Sequence, residues 1–240
     1  MAFDYDVKSI DIELEKYLPK AEGLQKKVYL AMREAIAAGG KRIRSIFIWE
    51  SYKVFESEKP DINKVLSYMA AIEMIHTASL IHDDLPCIDN DKLRRGKATT
   101  WVTYGEDMAV LTGDAFFIEA FDVIASDMLS KFESEMSSLP YIKAMLRANR
   151  ILANRSGMKG MIGGEVIDVE FTGKTVEKKV LKAIYELKTS ALIEASMLIG
   201  AVLGMAGNGE LAIVEEAAKC VGMAFQIRDD ILDATSSTKV

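Results

Sequence analysis

Apolar positions recur at intervals of three and four almost from end to end of the chain, the mark of helices packed through a broad face. No stretch alternates convincingly as a strand would. Ile62, Val65, Leu66, Met69 and Ile72 keep the helical spacing and predict a helix over 62–83. Pro86 stops it, because proline cannot continue a helix and pushes Leu85 out of the helical region. Further helices are predicted over 7–17, ending near Pro19, and over 21–38, ended by Gly39-Gly40 in a left-handed cap. Others are predicted from Lys41 through Trp49 and over 106–129, 140–161 and 176–206. Ala109, Val110, Ala115, Phe116, Ile118, Ala120 and Phe121 give 106–129 the broad apolar faces of a buried helix, and Met197 to Met205 reads as core. The pattern predicts an all-α, single-domain bundle of roughly ten helices around a central cavity.

Composition narrows this picture. In 240 residues, half are hydrophobic, four are prolines and no composition break occurs, which suits one domain with an ample core. A formal net charge of -6 makes nucleic acid a poor partner. The longest uncharged apolar run, Ala195 to Gly209, is broken by glycines and is too short to span a bilayer, so no transmembrane segment is expected. The N-terminus has neither the basic region nor the apolar core of a signal peptide. Cys87 and Cys220 define neither a disulfide framework nor a zinc site, and a reducing, cytoplasmic setting is expected.

The chemistry is concentrated between His76 and Arg95, which hold four aspartates, both histidines of the chain and an arginine pair. Asp83 and Asp84 fall at the C-terminal end of the predicted helix, where the macrodipole disfavours negative charge, and Asp89 lies just beyond. Such carboxylates repel one another unless a cation sits among them. A hard divalent ion bound through oxygen answers this, magnesium best where phosphate shares the coordination; a solvated helix end is the plainer reading. A second cluster, Arg228-Asp229-Asp230-Ile231-Leu232-Asp233, repeats the theme near the other end, with Asp229 and Asp233 sharing one helix face. Gly39-Gly40-Lys41-Arg42-Ile43-Arg44 opens a helix with three cations, poor for the dipole but good for an anion; a glycine cap with surface bases is the alternative.

Together these motifs resemble the trans-isoprenyl diphosphate synthases, the polyprenyl synthetase family that includes farnesyl and geranylgeranyl diphosphate synthases. Asp83-Asp84-Leu-Pro-Cys-Ile-Asp89 followed by Arg94-Arg95-Gly96 is similar to that family's first aspartate-rich motif, in the form with two extra residues, and Asp229-Asp230-Ile-Leu-Asp233 to its second. The resemblance implies magnesium, three ions with bound diphosphate, held by Asp83, Asp84, Asp89 and Asp229 with Asp230 and Asp233 nearby. It implies that Lys41, Arg44, His76 and Arg95 hold isopentenyl diphosphate and that Arg94 and Lys188 hold an allylic diphosphate. Thr189 and Gln226 would turn oxygen dipoles toward the allylic cation, and Gly163-Gly164…Asp168 matches a further family element. His82 is expected to give supporting contacts. A homodimer through 106–129 is also implied. The expected reaction is head-to-tail prenyl transfer giving farnesyl or geranylgeranyl diphosphate, the tail running down a stripe of Ala71, Met74, Ile75 and Ala78.

Three departures stand beside the match. Ser45 replaces the usual proline, Gly96 to Trp101 differs from the common continuation, and the sequence ends seven residues after Asp233, where the family continues through further helices that supply lysines. Two alternatives follow: a class I terpene cyclase, which shares the aspartate chemistry but needs no second diphosphate pocket, and a non-catalytic regulatory subunit of a heteromeric synthase.

Overall fold

A computed structural model describes residues 7–56, 58–133 and 138–235; the side chains of Ser9, Asp229, Asp230, Asp233 and Ala234 also lie outside the description. The described residues form α1 (Val7–Lys16), α2 (Lys26–Ala37), α3 (Ile43–Phe55), α4 (Leu66–Asp83), α5 (Thr100–Tyr104), α6 (Glu106–Glu133), α7 (Leu139–Ser156), α8 (Met161–Phe171), α9 (Lys178–Ile184), α10 (Ala191–Leu203) and α11 (Asn208–Thr235). The all-α expectation holds. Three of the predicted helices are divided differently from the sequence reading. The predicted helix 62–83 opens as a 3₁₀ turn, Ile62–Lys64, where Asp61 accepts the Asn63 N–H, and becomes α-helical only at Leu66. The predicted 140–161 breaks at Gly157 and resumes as α8. The predicted 176–206 is three pieces, α9 and α10 joined through a π-helical turn, Tyr185–Ser190. A strand pair that the periodicity did not announce also forms: β1 (Leu93–Arg94) pairs antiparallel with β2 (Lys97–Ala98).

The chain divides into two compact units, residues 1–45 with 66–130 and residues 46–65 with 131–240. The first is organised around α4. Twelve of its eighteen residues are buried, including Ala71, Met74, Ile75 and Ala78, so that stripe is core. Ser67 of α4 donates to Asp127 of α6, and His82 packs against Gly113 of α6, its Nε2 3.2 Å from the Val110 carbonyl oxygen. His82 is thus a packing residue between two helices. The second unit is organised around α10, every residue of which except Met197 is buried, between α7 and α11. Met205 lies beyond the end of α10; it is 53% exposed and has a left-handed backbone (φ 69°), so the expected methionine core stops at the helix cap.

In the second unit α10 meets α3 through glycine. A Cβ on Gly200 would lie 2.2 Å from the Ile48 carbonyl oxygen, and one on Gly204 2.7 Å from that of Tyr52. The helices therefore touch backbone to backbone, and any side chain there forces them apart. Gly200→Ala should lower the stability by about 1–3 kcal/mol, the usual cost of overpacking. Gly209, where a Cβ meets nothing within 4 Å, should tolerate alanine without loss. Denaturant melts of the two variants make the comparison; equal stabilities would refute the close-contact reading.

Candidate active site

In the first unit, α4 ends at Asp83 as Pro86 requires, and the following loop folds back onto it. The Asp89 N–H donates to the Asp83 carbonyl oxygen at 2.9 Å, and the Asn90 N–H to that of Leu85 at 3.0 Å. The two inserted residues thus form a compact turn that returns Asp89 to the end of the helix. Asp83 is half-buried and Asp89 exposed. Asp84 differs: it is 3% exposed, and its Oδ1 accepts from Arg94 Nε at 2.7 Å and lies 2.6 Å from Arg94 Nη2. Burial pushes the Asp84 carboxyl up against the pull of Arg94. Arg94, whose own burial works against its charge, is held up by Asp84. Asp84 is therefore the residue that fixes Arg94.

The arginine pair sits on the β1–β2 hairpin. Arg95 (φ 53°) and Gly96 (φ 75°) are its two turn residues, and positive φ at both is what a type I′ hairpin turn demands. Glycine takes this conformation freely, whereas Arg95 adopts it at a cost. The turn carries the Arg95 guanidinium over the Gly39–Gly40 loop, so that a Cβ on Gly40 would lie 3.0 Å from Arg95 Nη1. Burial and the charges of Arg42 and Arg94 pull Arg95 below the usual guanidinium range. Burial, then the charges of Arg44, Arg95, Arg42 and Arg94, holds the His76 imidazole well below its usual range. Arg44, His76, Arg94 and Arg95, separated in sequence, are thus brought together, with Lys41 exposed on the adjoining loop. Such crowding of positive charge disfavours itself and is relieved by an anion. Arg94 and Arg95 also line a cleft of about 350 Å³ together with Asp84 and Lys97.

In the second unit, the π turn carries Lys188 and Thr189. Inserted π turns recur at functional sites because they re-aim side chains without breaking the helix. Two glycines hold it. A Cβ on Gly164 of α8 would lie 2.2 Å from the Lys188 backbone nitrogen, and one on Gly222 of α11 2.5 Å from Ser190 Cβ. Lys188 Nζ meets Asp168 Oδ2 at 2.5 Å and Glu165 Oε2 at 2.8 Å. The Thr189 hydroxyl donates to Gln226 Oε1 at 2.5 Å. The family element Gly163-Gly164…Asp168 therefore meets the Lys-Thr pair and Gln226 at one turn. Helix α11 also carries Asp229, Asp230 and Asp233, whose side chains lie outside the described residues.

Sequence reasoning overlooked three residues in these clusters. Glu165 is the second carboxylate on Lys188, and its Oε1 is buried without a hydrogen-bond partner. Arg42, placed among the surface cations of its motif, is only 4% exposed; Glu73, the lone acid in an apolar run, is 3% exposed and pairs with it. That isolated acid was the signal available. Among the described residues no three His, Cys, Asp or Glu side chains form a closed metal site. Magnesium does not require one, since it keeps water and substrate phosphate in its shell and takes one or two carboxylates from the protein. Two further features fit such an ion: Asp89 folded against Asp83, and two carboxylates opposing the single ammonium of Lys188, a balance that repels a polyanion unless cations accompany it.

Residues 25–240 match the family model for polyprenyl synthetase. The chain belongs to the polyprenyl synthetase family. It is 40% identical over 229 residues to the heterodimeric geranylgeranyl pyrophosphate synthase large subunit 1 of Arabidopsis thaliana, covering 94% of this chain and 58% of the relative. It is 39% identical to the chloroplastic geranylgeranyl pyrophosphate synthase of Capsicum annuum, covering 88% and 54%. Among solved structures, an apo FPP/GFPP synthase from Zymomonas mobilis superposes with a TM-score of 0.84 at 35% identity, over 97% of this chain and 80% of that one. The chain thus spans somewhat more than half the length of these curated relatives. No helix among the described residues is long and apolar enough to cross a membrane.

The depressed His76 has a consequence for acid stability. The unfolded imidazole takes up its proton near pH 6.5, whereas the folded one resists until lower pH. Its contribution is therefore complete above pH 6.5 and is lost as pH falls through the folded value. Between pH 7 and 5 the wild-type chain should lose stability more steeply than His76→Asn, by up to about 1.4 kcal/mol per pH unit. Parallel pH profiles in urea melts would rule this out.

Proposed function

We propose that this chain is a magnesium-dependent, short-chain trans-prenyltransferase. It joins isopentenyl diphosphate head-to-tail to dimethylallyl, geranyl or farnesyl diphosphate, giving farnesyl or geranylgeranyl diphosphate and pyrophosphate. The observation that carries this over a terpene cyclase is the crowded cation set around His76, a second anion pocket that a cyclase does not need.

Lys41, Arg44, His76 and Arg95 hold isopentenyl diphosphate. Arg94, fixed by Asp84, and Lys188, released from Asp168 and Glu165, bind the allylic diphosphate. Asp83, Asp84, Asp89 and Asp229 are the proposed ligands of three magnesium ions; among the first three, Asp83 and Asp89 carry most of the share, since Asp84 is already committed to Arg94. Magnesium, when bound, neutralises the pyrophosphate leaving group. The allylic C–O bond breaks, the isopentenyl double bond attacks the allylic carbon, and the proton lost from the new chain passes to pyrophosphate. Thr189 gives its only hydroxyl proton to Gln226, which leaves its lone pairs to face the allylic cation.

A homodimer is part of the proposal. Val110, Leu111 and Ile118 of α6 are 41%, 49% and 73% exposed, an apolar surface that a second copy would cover. A second reading, in which the chain works beside a different subunit, is favoured by the likeness to the Arabidopsis relative, a large subunit of a heterodimeric synthase. Cys87 and Cys220 are both free and exposed, which suits a reducing compartment such as the cytoplasm.

The direct test is turnover of the purified chain with magnesium, isopentenyl diphosphate and labelled allylic diphosphates; absence of any prenyl product overturns the proposal. Asp83→Ala and Asp229→Ala should each abolish turnover while the chain still folds, its melting midpoint in metal-free buffer staying close to that of the wild type. A clearly lowered midpoint would make these residues structural instead.

Lys41→Ala and Arg95→Ala should raise the KM for isopentenyl diphosphate at least about tenfold, against little change for the allylic substrate. Arg94→Ala should do the reverse, each charge-assisted phosphate contact contributing roughly 1.5–3 kcal/mol. Steady-state kinetics with both substrates varied decides the matter, and equal effects on the two would refute separate pockets.

A further inference from the structure

Arg42 lies between the two cations assigned to isopentenyl diphosphate, yet it is buried and bonded within the protein. Its side chain is only 2% exposed. Its Nε donates to Asp11 of α1 at 2.7 Å, Nη1 to Glu73 of α4 at 3.2 Å and Nη2 to the Ile36 carbonyl oxygen of α2 at 2.8 Å. The guanidinium thus ties together three helices. Its backbone lies in the left-handed region (φ 49°), which a non-glycine residue holds only where the surroundings over-determine it. Those three bonds are what over-determine it here.

Glu73 receives a second partner from the same motif. Its Oε1 accepts the Ser45 N–H at 3.3 Å and lies 3.4 Å from the Ser45 hydroxyl, which donates to the Met69 carbonyl oxygen at 2.9 Å. One buried carboxylate therefore grips the chain at residues 42 and 45, on either side of Arg44. It does so from α4, three residues before His76. Serine at 45, where the family usually has proline, makes the backbone bond possible, because proline has no N–H to donate.

We propose that Arg42 and Glu73 are positioning residues for the isopentenyl diphosphate pocket, and that their buried pair sets the placement of Lys41 and Arg44 relative to His76 without touching the ligand. This rests on the reading of that pocket given above. Removing Arg42 alone would strand Glu73 as a buried charge and endanger folding, whereas Arg42 keeps the Asp11 carboxylate when Glu73 loses its charge. The informative variant is therefore R42M/E73M, since replacing both members of a buried pair by apolar side chains of similar volume commonly preserves stability. It should melt within roughly 5 °C of wild type. Its KM for isopentenyl diphosphate should rise at least about tenfold, while that for the allylic substrate stays within about twofold. Calorimetric binding of isopentenyl diphosphate to the same protein supplies a readout besides turnover, and should weaken by the same factor. Should the double variant not fold, Glu73→Gln, which keeps an acceptor for Ser45 and removes only the charge, should shift the isopentenyl diphosphate affinity alone.

A folded variant with unaltered isopentenyl diphosphate affinity, or one that weakens both substrates equally, overturns the inference. A wild-type chain that binds no isopentenyl diphosphate overturns the pocket assignment itself, whereas binding that only Lys41→Ala weakens leaves the pocket intact and removes the positioning role.

Discussion

Like charges held closer than water would allow are the constraint on which the rest of the structure depends. Around His76 the first unit gathers four arginines, whose charges add to burial in holding the imidazole well below its usual range, and burial with the charges of Arg42 and Arg94 lowers Arg95. At the end of α4 the opposite sign accumulates, and burial pushes Asp84 up despite its bond to Arg94. No flexible chain would hold these groups together, since each repulsion is relieved by separation. Rigid, nearly all-buried helices supply the restraint: α4 in the first unit, and in the second α10, which continues directly from the π turn that carries Lys188. Charge is thus stored against a hydrophobic frame, and ligands of the opposite sign release it.

The frame is precise because glycine lets backbones meet. At Gly164 and Gly222 the second unit presses α8 and α11 onto the π turn from two sides, leaving no space for even a methyl group. The arrangement turns a helical irregularity into a fixed one. A π turn gives up regular i to i−4 bonding and would relax in an isolated helix, but here its neighbours fit only the irregular form. Gly40 serves the first unit similarly, by giving the Arg95 guanidinium room above the loop.

Much of this was legible in the sequence, and what was not shares a physical cause. The end of α4 at Asp83 follows from Pro86, and the gathering of Asp168, Lys188, Thr189 and Gln226 follows from motif resemblance. The hairpin at Leu93–Ala98 escaped because two-residue strands have no periodicity to read; its signal is an Arg-Gly pair in which both residues take positive φ. The π turn escaped because one inserted residue scarcely disturbs a 3.6-residue pattern. Arg42 escaped for another reason. Composition assigns arginine to the surface, and only the partner 31 residues away, Glu73, shows that this one is inside.

That last case bears on how motifs are read. Three cations in the six residues from Gly39 to Arg44 invite the assumption that all three face an anion. Had they done so, mutual repulsion would have worked against the close packing of the loop. Turning Arg42 inward through a left-handed residue gives its charge a carboxylate partner and uses it as an anchor on Glu73. The motif is then better described as a buried, structural arginine set between two further cations, Lys41 and Arg44. Its spacing follows from the need to reverse direction once within a single turn of chain, and Ser45 strengthens the same anchor where proline could not.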